Sequence, residues 1–412
     1  MQTMQITKTT RVAVIGAGPI GLEAALCAGE AGLDTVVMES GGIGANVAAW
    51  GFLGMFTSWA MNTTPLGRQA LGDDPLLTSE QAPTGAEFAE KYLLPLSQSD
   101  ALAGRIDTGV RVLAVGRDEI MHRGGSGSAG EDSAPFRLLV CDRFGVEQFD
   151  HADVVLDCSG TYGQSRWTGH GGMPARGELG MKQSIWYTVP DVLGRDRSRF
   201  AGRHTLLIGT GTLAASILMN LSQLATSSPR TLVTWAFHRW GEILRHLDED
   251  PLPGRRALAE KALRLTASPP PWLTLLENAE VESLSAERGK SVILRQQDQR
   301  ISCHADEIIA AVGYRPDDTL FAPLGGQPAY VSASETRNSI ESAGDDRPVV
   351  ATVAGPACGH LVTAAPGYYL LGAKSYGANS NFLLRVGHRQ VRDALADILG
   401  GHRHGESPAA AG

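Results

Sequence analysis

The stretch that decides the fold is Arg11-Val-Ala-Val-Ile-Gly-Ala-Gly-Pro-Ile-Gly21, near the start of the chain. Its β-branched run Arg11–Ile15 predicts a strand that stops at a glycine turn, and an apolar pattern at helical spacing follows from Ile20 to Ala31. A second strand is predicted at Thr35–Met38. Strand, glycine turn, helix and strand together predict a βαβ unit.

The glycine turn has the spacing G-x-G-x-x-G, in which each glycine has its own physical role. Gly16 permits the tight turn, Gly18 lets the backbone approach a pyrophosphate, and Gly21 lets helix and strand pack closely. Glu39 follows Gly21 by 18 residues, where a carboxylate accepts hydrogen bonds from both hydroxyls of an adenosine ribose. The alternative is a structural glycine turn beside a capping acid. The predicted nucleotide contacts are Gly16, Gly18, Pro19, Ile20, Gly21, Glu39 and Ser40.

A second strand, glycine turn and helix begin at His204. His204–Ile208 predicts the strand, and Gly209-Thr-Gly-Thr-Leu-Ala214 repeats the turn with Ala in the third place. After the next strand, where an NAD-selective site would carry an acid, this chain has His238 and Arg239, which suit a 2′-phosphate. The sequence therefore predicts NADPH, unless Arg239 is a solvated surface residue. The predicted contacts are Gly209, Gly211, Thr212, Ala214, His238 and Arg239.

Length and charge narrow the class of protein. A chain of 412 residues predicts two or three domains. Its formal charge of −8 argues against nucleic acid or an anionic membrane as the main partner. No apolar run approaches the length that crosses a bilayer, so we expect a cytoplasmic protein.

The cysteines bear on how electrons could leave a cofactor. They are scattered, and no two are spaced as C-x-x-C, which predicts reduced thiols and no dithiol pair. No metal site is predicted, because His402 and His404 stand in a Gly- and Ala-rich tail where we expect them to be solvated.

Two further segments carry a resemblance to a known superfamily. Asp157-Cys-Ser-Gly-Thr161 closes the first part of the chain, and Ile308-Ile-Ala-Ala-Val-Gly-Tyr-Arg-Pro316 closes the second. With both glycine motifs they resemble the two-dinucleotide-binding-domain flavoproteins, over about residues 8 to 398. Within that superfamily the arrangement is similar to the flavin-containing and N-hydroxylating monooxygenases. Thioredoxin reductases are relatives that carry a dithiol.

This resemblance implies an α/β fold with two Rossmann-like dinucleotide-binding domains, in which an inserted NAD(P)H domain splits the FAD domain. It predicts residues 1–165 as the first part of the FAD domain, 166–313 as the NAD(P)H domain, 314–400 as the second part, and 401–412 as a disordered tail. The Gly- and Pro-rich segment from Gly163 to Arg199 is expected to be a linker.

A late motif, Tyr368-Tyr-Leu-Leu-Gly-Ala-Lys-Ser-Tyr-Gly377, matches the family segment that closes over the flavin. It has Gly372-Ala373 where the disulfide reductases have Gly-Asp, a departure that counts against the thioredoxin-reductase interpretation. The further cofactor contacts that the resemblance implies are Gly160, Gly313, Gly372, Lys374 and Asn381.

The implied activity is that of an FAD-dependent, NADPH-using monooxygenase. It would use molecular oxygen to oxygenate a heteroatom of a small molecule, an amine nitrogen in preference to sulfur. The aromatic stretch from Trp50 to Asn62 follows the ribose acid and is expected near the flavin. There Trp59 or Phe56 would wall the site and Asn62 would form a hydrogen bond with the nicotinamide amide or the flavin hydroperoxide, so Trp59 and Asn62 are the predicted catalytic residues.

Three alternatives stay open at this point. The aromatic residues could be core packing. The enzyme could be a flavin reductase or dehydrogenase that passes electrons to a small acceptor or a protein partner. The chain could also bind FAD without turnover. A homodimer is left open by the sequence.

Overall fold

A computed structural model describes residues 9–117, 134–237, 250, 252–286, 289–325, 327–328, 330, 351–354, 365–377 and 381–401. The chain divides into two compact units. Unit 1 comprises Met1–Gly51, Thr57–Gly163 and Pro316–Gly412, and unit 2 comprises Phe52–Phe56 and Gln164–Arg315. Unit 2 therefore interrupts unit 1 in the sequence, with junctions beside the predicted 165/166 and 313/314.

The elements of the described residues are as follows. In chain order the strands are β1 Arg11–Ile15, β2 Asp34–Glu39, β3 Ile106–Thr108, β4 Arg111–Arg117, β5 Phe136–Cys141, β6 Glu147–Ala152, β7 Val154–Asp157, β8 His204–Ile208, β9 Leu232–Phe237, β10 Leu273–Glu277, β11 Ala279–Ser285, β12 Lys290–Gln296, β13 Gln299–Ala305, β14 Glu307–Ala310, β15 Gln327–Pro328, β16 Ala351–Ala354 and β17 Tyr368–Leu370. The α-helices are α1 Pro19–Glu30, α2 Ala45–Ala49, α3 Trp59–Asn62, α4 Pro65–Leu71, α5 Gly85–Phe88, α6 Leu94–Ser97, α7 Glu178–Met181, α8 Arg197–Phe200, α9 Thr212–Ser227, α10 Pro253–Ala267 and α11 Leu384–Gly401. A π-helical turn, Ala89–Leu93, joins α5 to α6, and the 3₁₀ turns are Pro75–Thr78, His170–Gly172, Lys182–Ser184, Asp318–Leu324 and Gly372–Tyr376.

Unit 1 is built on a seven-stranded sheet in the order β15-β16-β17-β7-β1-β2-β3. β1 pairs in parallel with β2 on one side and β7 on the other, so its apolar run is buried between neighbours as the sequence predicts. Helix α1 packs against the C-terminal helix α11. A separate antiparallel sheet, β4-β5-β6, contributes Val115, Phe136 and Leu138 to the core.

Unit 2 contains a parallel sheet in the order β10-β9-β8-β14 and an antiparallel sheet, β11-β12-β13. Its core joins Leu206 of β8, Val292 of β12 and Ile308 of β14. Helix α9 packs against α10. With a parallel sheet and helices in both units, the predicted α/β fold class is confirmed.

The Gly163–Arg199 segment was expected to be a linker, but from Gln164 onward it belongs to unit 2. The fully buried carboxylate of Glu178 accepts hydrogen bonds from the N–H groups of Thr168 (2.9 Å) and Ala175 (2.7 Å) and from the Tyr187 hydroxyl (2.6 Å). Arg176 also pairs with Ser283 of β11. The sequence of this segment has no strand or helix periodicity. Its backbone hydrogen-bonding groups are satisfied by side-chain acceptors and isolated bridges instead of by regular helices and strands.

None of the helices in the described ranges is long and apolar enough to cross a membrane.

Candidate nucleotide-binding sites

The first glycine turn joins β1 to α1 in unit 1. Gly16 has a φ of 98°, a value that favours glycine, and its N–H donates to the carbonyl of Met38 at the end of β2 (2.8 Å). A Cβ at Gly16 would lie 3.0 Å from the carbonyl oxygen of Cys158, which follows β7. The turn is therefore fitted closely between the ends of three strands.

The other two glycines of this turn, Gly18 and Gly21, differ in how much space surrounds them. A Cβ at Gly21 would overlap the carbonyl oxygen of Gly16, whereas a Cβ at Gly18 would meet no described atom within 4 Å. Gly18 is the extended N-cap of α1, no side chain caps the helix there, and Pro19 begins it. The helix N-terminus thus presents backbone to open space, the arrangement that binds a phosphate group. Ile20 instead packs inside the unit, where its side chain would contact a Cβ at Gly372.

Glu39 lies at the end of β2, beside the glycine turn. One carboxylate oxygen accepts from the Ala17 N–H (2.7 Å), and the other accepts from the Gly41 N–H (2.7 Å) and the Ser40 hydroxyl (3.4 Å). These three bonds use three of the four lone pairs of the carboxylate and orient it, so one lone pair is left for a ribose hydroxyl, and the long Ser40 bond (3.4 Å) would have to be given up for a second.

The predicted contacts after β7 and β17 reach the same edge of the sheet. Gly160 has a φ of 69° and open space at its Cβ position. Gly372 has a φ of 71°, and its N–H donates to the buried Gln390 side chain (2.9 Å). Since β17, β7, β1 and β2 are consecutive parallel neighbours, their carboxyl ends form one edge. A ligand of a doubly wound sheet binds at that edge, where the strand order reverses. Asn381 lies, half-buried, just before α11.

Lys374 is a predicted cofactor contact whose side chain is turned inward. Its Nζ lies 2.6 Å from an oxygen of Asp157 and 3.1 Å from the Ser159 hydroxyl, and the side chain is fully buried. Any direct contact with a nucleotide would therefore need this ammonium to exchange its partners. No role was predicted for Asp157 itself; its place at the end of an apolar strand indicates a buried charge but does not indicate its partner.

The two predicted catalytic residues lie in the interior of unit 1. Trp59 is 2% exposed and packs against Phe88 with ring centroids 6.0 Å apart. Asn62 is 1% exposed; its Oδ1 accepts from the Thr57 hydroxyl (2.7 Å) and its Nδ2 donates to the Thr57 carbonyl (3.1 Å). These contacts fit the core-packing alternative, and a catalytic role for either residue stays a prediction.

The second glycine turn joins β8 to α9 in unit 2. Gly209 has a φ of 119°, and its N–H donates to the carbonyl of Ala236 at the end of β9 (3.1 Å). Its own carbonyl accepts from the indole of Trp235 (2.7 Å), and a Cβ at Gly209 would overlap the carbonyl oxygen of Ala311. The turn is thereby held between β9 and the end of β14.

The remaining predicted residues of this turn do not cover the N-terminus of α9. Gly211 is its extended N-cap without a side-chain cap, and a Cβ there would meet no described atom within 4 Å. Thr212 begins the helix, and Ala214 is fully buried. Gly313, with a φ of 82°, accepts a bond from the Arg166 N–H (3.0 Å). The predicted residues His238 and Arg239 lie outside the described residues.

The cysteines that the structure describes are free thiols. Burial, and then the neighbouring Glu23 carboxylate, raises the pKa of Cys27 to about 12. Burial also raises the pKa values of Cys158 and Cys303 above the usual range. Thiols with raised pKa values stay protonated at neutral pH and are poor nucleophiles. Cys358 lies outside the described residues.

Comparisons with known proteins give structural likeness without sequence likeness. No family model matches the chain, and no curated protein matches it. Among solved structures, it is similar to a bacillithiol disulfide reductase from Bacillus cereus, with a TM-score of 0.68, 17% identity and coverage of 96% of this chain and 100% of that one.

Two further solved structures represent different chemistry. The cadaverine monooxygenase of desferrioxamine biosynthesis from Erwinia amylovora, solved bound to FAD, gives a TM-score of 0.61 at 15% identity and covers 95% of each chain. Thioredoxin reductase from Lactococcus lactis gives a TM-score of 0.55 at 15% identity, covering 95% of this chain and 100% of that one. The chain therefore has the fold of the thioredoxin-reductase-like flavoproteins with two dinucleotide-binding domains, as its motifs predicted.

Proposed function

We propose that this protein is an FAD-dependent oxidoreductase reduced by NADPH. The observation that carries the proposal is that each unit has a helix N-terminus capped only by an open glycine, Gly18 in unit 1 and Gly211 in unit 2. Both lie at the carboxyl ends of parallel strands, where this fold class binds nucleotides. The similar bacterial enzymes are oxidoreductases by name, and one was solved with FAD.

Within this proposal each site residue has a defined task. The N–H groups at the start of α1 would bind the FAD pyrophosphate next to Gly18, and Glu39 would accept hydrogen bonds from the ribose hydroxyls. The start of α9, next to Gly211, would bind the pyrophosphate of NADPH, with Arg239 at the 2′-phosphate. FAD, when bound, supplies the redox chemistry by accepting hydride from NADPH.

We further propose that the electrons go to oxygen and that a heteroatom of a small molecule, an amine nitrogen first, is oxygenated. NADPH would supply two electrons, one oxygen atom would enter the substrate and the other would leave as water. Support comes from the thiols: three of the described cysteines have raised pKa values, and no C-x-x-C exists in the chain. Both observations count against a dithiol route for the electrons.

A reductase is the second candidate function. It is favoured by the bacillithiol disulfide reductase, whose TM-score of 0.68 exceeds the 0.61 of the monooxygenase. In this case the electrons would pass to a small acceptor or a protein partner, and oxygen would not be required.

The test is turnover with and without oxygen. Purified protein with its bound flavin is mixed with NADPH and a panel of primary amines that includes cadaverine, with a thioether and a small disulfide as further members. We expect substrate-dependent consumption of NADPH and oxygen, and a product that carries one atom from isotopically labelled oxygen gas. Equal turnover in the absence of oxygen would contradict the monooxygenase and establish the reductase.

Asn62 provides a finer test of the same proposal. Asn62→Ala is expected to divert the electrons to hydrogen peroxide, while hydride transfer from NADPH slows only modestly. Hydrogen peroxide and product are measured per NADPH consumed. The matched control is Thr57→Val, which removes the hydroxyl that binds Asn62 Oδ1 but keeps the carboxamide. If both variants uncouple equally, Asn62 acts by holding its own turn; if neither does, it has no catalytic role.

A further inference from the structure

Unit 1 contains an ion pair that is buried completely. Lys374 Nζ and an oxygen of Asp157 lie 2.6 Å apart, and both side chains are 0% exposed. Asp157 is the last residue of β7, and Lys374 lies in the 3₁₀ turn that follows β17. These two strands are parallel neighbours, with Leu370 in register with Asp157. The pair therefore connects two adjacent strand ends.

The partners of this pair satisfy its charges. One oxygen of Asp157 accepts from the Ser159 N–H (3.1 Å) and hydroxyl (2.6 Å), and the other also accepts from the Tyr368 hydroxyl (2.6 Å). Lys374 donates in addition to the Ser159 hydroxyl (3.1 Å) and faces the ring of Phe321 at 5.6 Å. Such a network is rigid, because each member has a directed partner.

Stability alone does not explain the pair. A buried ion pair is often no more stabilising than apolar side chains of the same volume, since both charges lose their hydration. Two neighbours of the pair, Phe321 beside the ammonium and Tyr368 beside the carboxylate, belong to the apolar core of unit 1, where such side chains could be packed. What the charged pair adds is a directed connection between two turns.

The two turns are the ones that carry predicted cofactor contacts. The turn after β7 leads through Ser159 to Gly160, and the turn after β17 runs from Gly372 through Lys374. Gly372 is fixed independently by Gln390, whose amide also donates to the Ser375 hydroxyl (2.8 Å). A backbone bond from the Leu371 N–H to the Asp157 carbonyl (3.0 Å) joins the two strand ends, and the Lys374 ammonium adds the side-chain link between the turns beyond it.

We propose that Lys374 and Asp157 are a positioning pair that holds the two turns in register for the flavin nucleotide, without touching it. This inference rests on the proposed function, namely that unit 1 binds FAD. It assigns to Lys374 an indirect role in place of the direct contact expected from the motif.

The test separates cofactor affinity from stability. Lys374→Met, Asp157→Asn and the double variant are compared with the parent for the free energy of unfolding of the apoprotein and for the Kd of FAD. Each single variant leaves a buried charge or donor unpaired, so we expect lower stability and weaker FAD binding. The double variant should recover stability, whereas its FAD Kd should stay about tenfold or more above the parent value, because the bonds that the Lys374 ammonium donates to Asp157 and Ser159 are gone. Lys91→Met, an exposed lysine, is the control and should change neither.

Two results would overturn the proposal: parent-like FAD affinity in the double variant, or parent-like affinity in both single variants. If the double variant does not fold, Ser159→Ala decides, because it keeps both charges and removes the hydroxyl between them. We expect several-fold weaker FAD binding there, and an unchanged Kd refutes the positioning role. A parent protein that binds no FAD would instead refute the proposed function.

Discussion

The glycine turns of the two units follow the same path and differ at their third position. In each, the first glycine has a positive φ (98° at Gly16 and 119° at Gly209) and donates to the carbonyl of the next-to-last residue of the following strand. In each, the second glycine is an open N-cap. At the third position a Cβ on Gly21 would overlap a backbone carbonyl, whereas the Cβ of Ala214 is buried without difficulty.

This difference separates two roles of the glycine motif: close packing of the turn against its own backbone, and open space for a ligand. The first and third positions are determined by the protein's own backbone, because the space there is already filled. At the second position the size of the side chain is limited only by a bound ligand, since no described atom of the protein occupies that space. Substitutions at these positions should therefore have separable effects on ligand affinity and on stability.

The largest expected effect is at the second position. Gly18→Trp should abolish retention of FAD, with a Kd raised at least about 100-fold, because the side chain fills the space where the pyrophosphate would bind. Gly211→Trp should keep the flavin and lose its reduction by NADPH. Flavin content and anaerobic reduction rates measure these effects, and circular dichroism confirms folding. A folded Gly18→Trp protein with normal flavin content would remove the basis of the FAD assignment.

A second contrast concerns the helices that pack against α1 and α9. The residues that α10 buries are Ala259 and Ala262, whereas α11 buries His388 at 5% exposure. Burial, and then the Arg392 charge, lowers the pKa of His388 to about 4. Between about pH 6.5 and 4 the unfolded chain therefore binds a proton that the folded protein does not, and stability falls by about 3 kcal/mol as the pH falls.

His388→Gln should flatten this part of the pH dependence, as measured by denaturant unfolding at several pH values. Burial raises the pKa of the nearby Glu23, so that group changes stability in the opposite direction on acidification. Since Glu23 is present in both proteins, the difference between parent and variant isolates His388. Parallel curves for the two would show that His388 takes up its proton over the same pH range in the folded and the unfolded protein.

Coenzyme choice is the next contrast, because the acid Glu39 ends β2 in unit 1, whereas the base Arg239 comes after β9 in the sequence of unit 2. Arg239→Ala should raise the KM for NADPH by about one to two orders of magnitude, the value of a charge-assisted hydrogen bond of roughly 1.5–3 kcal/mol. The KM for NADH should stay nearly unchanged. Steady-state kinetics with both coenzymes measure this, and an equal loss for both would assign Arg239 a structural role.

The smallest expected effects are at the third position. Gly21→Ala should destabilise the protein by about 1–3 kcal/mol, because the methyl group must displace the Gly16 carbonyl. Ala214→Gly should cost about 1 kcal/mol or less, from the lower helix propensity of glycine. Denaturant midpoints compare the two, and a neutral Gly21→Ala would show that the turn yields at little cost.

Local patterns predicted the two βαβ units, because short apolar runs, glycine turns and helical spacing are properties of neighbouring residues. Gly16, Gly18 and Gly21 could be given separate roles because backbone geometry around a tight turn depends on few atoms. Glu39 could be placed at the end of its strand for the same reason.

The contacts between segments that are distant in the sequence were decided by the tertiary structure alone. The sequence gives no indication that Lys374 meets Asp157, since 217 residues separate them and the pairing depends on the order of strands in the sheet. Likewise Trp59 and Asn62 look like site residues in sequence, but packing against Phe88 and Thr57 buries them. The sequence by itself thus determined the fold class and the two glycine turns, because these are set by local interactions. The partners of its buried charged and polar side chains were decided by long-range packing, which no local pattern encodes.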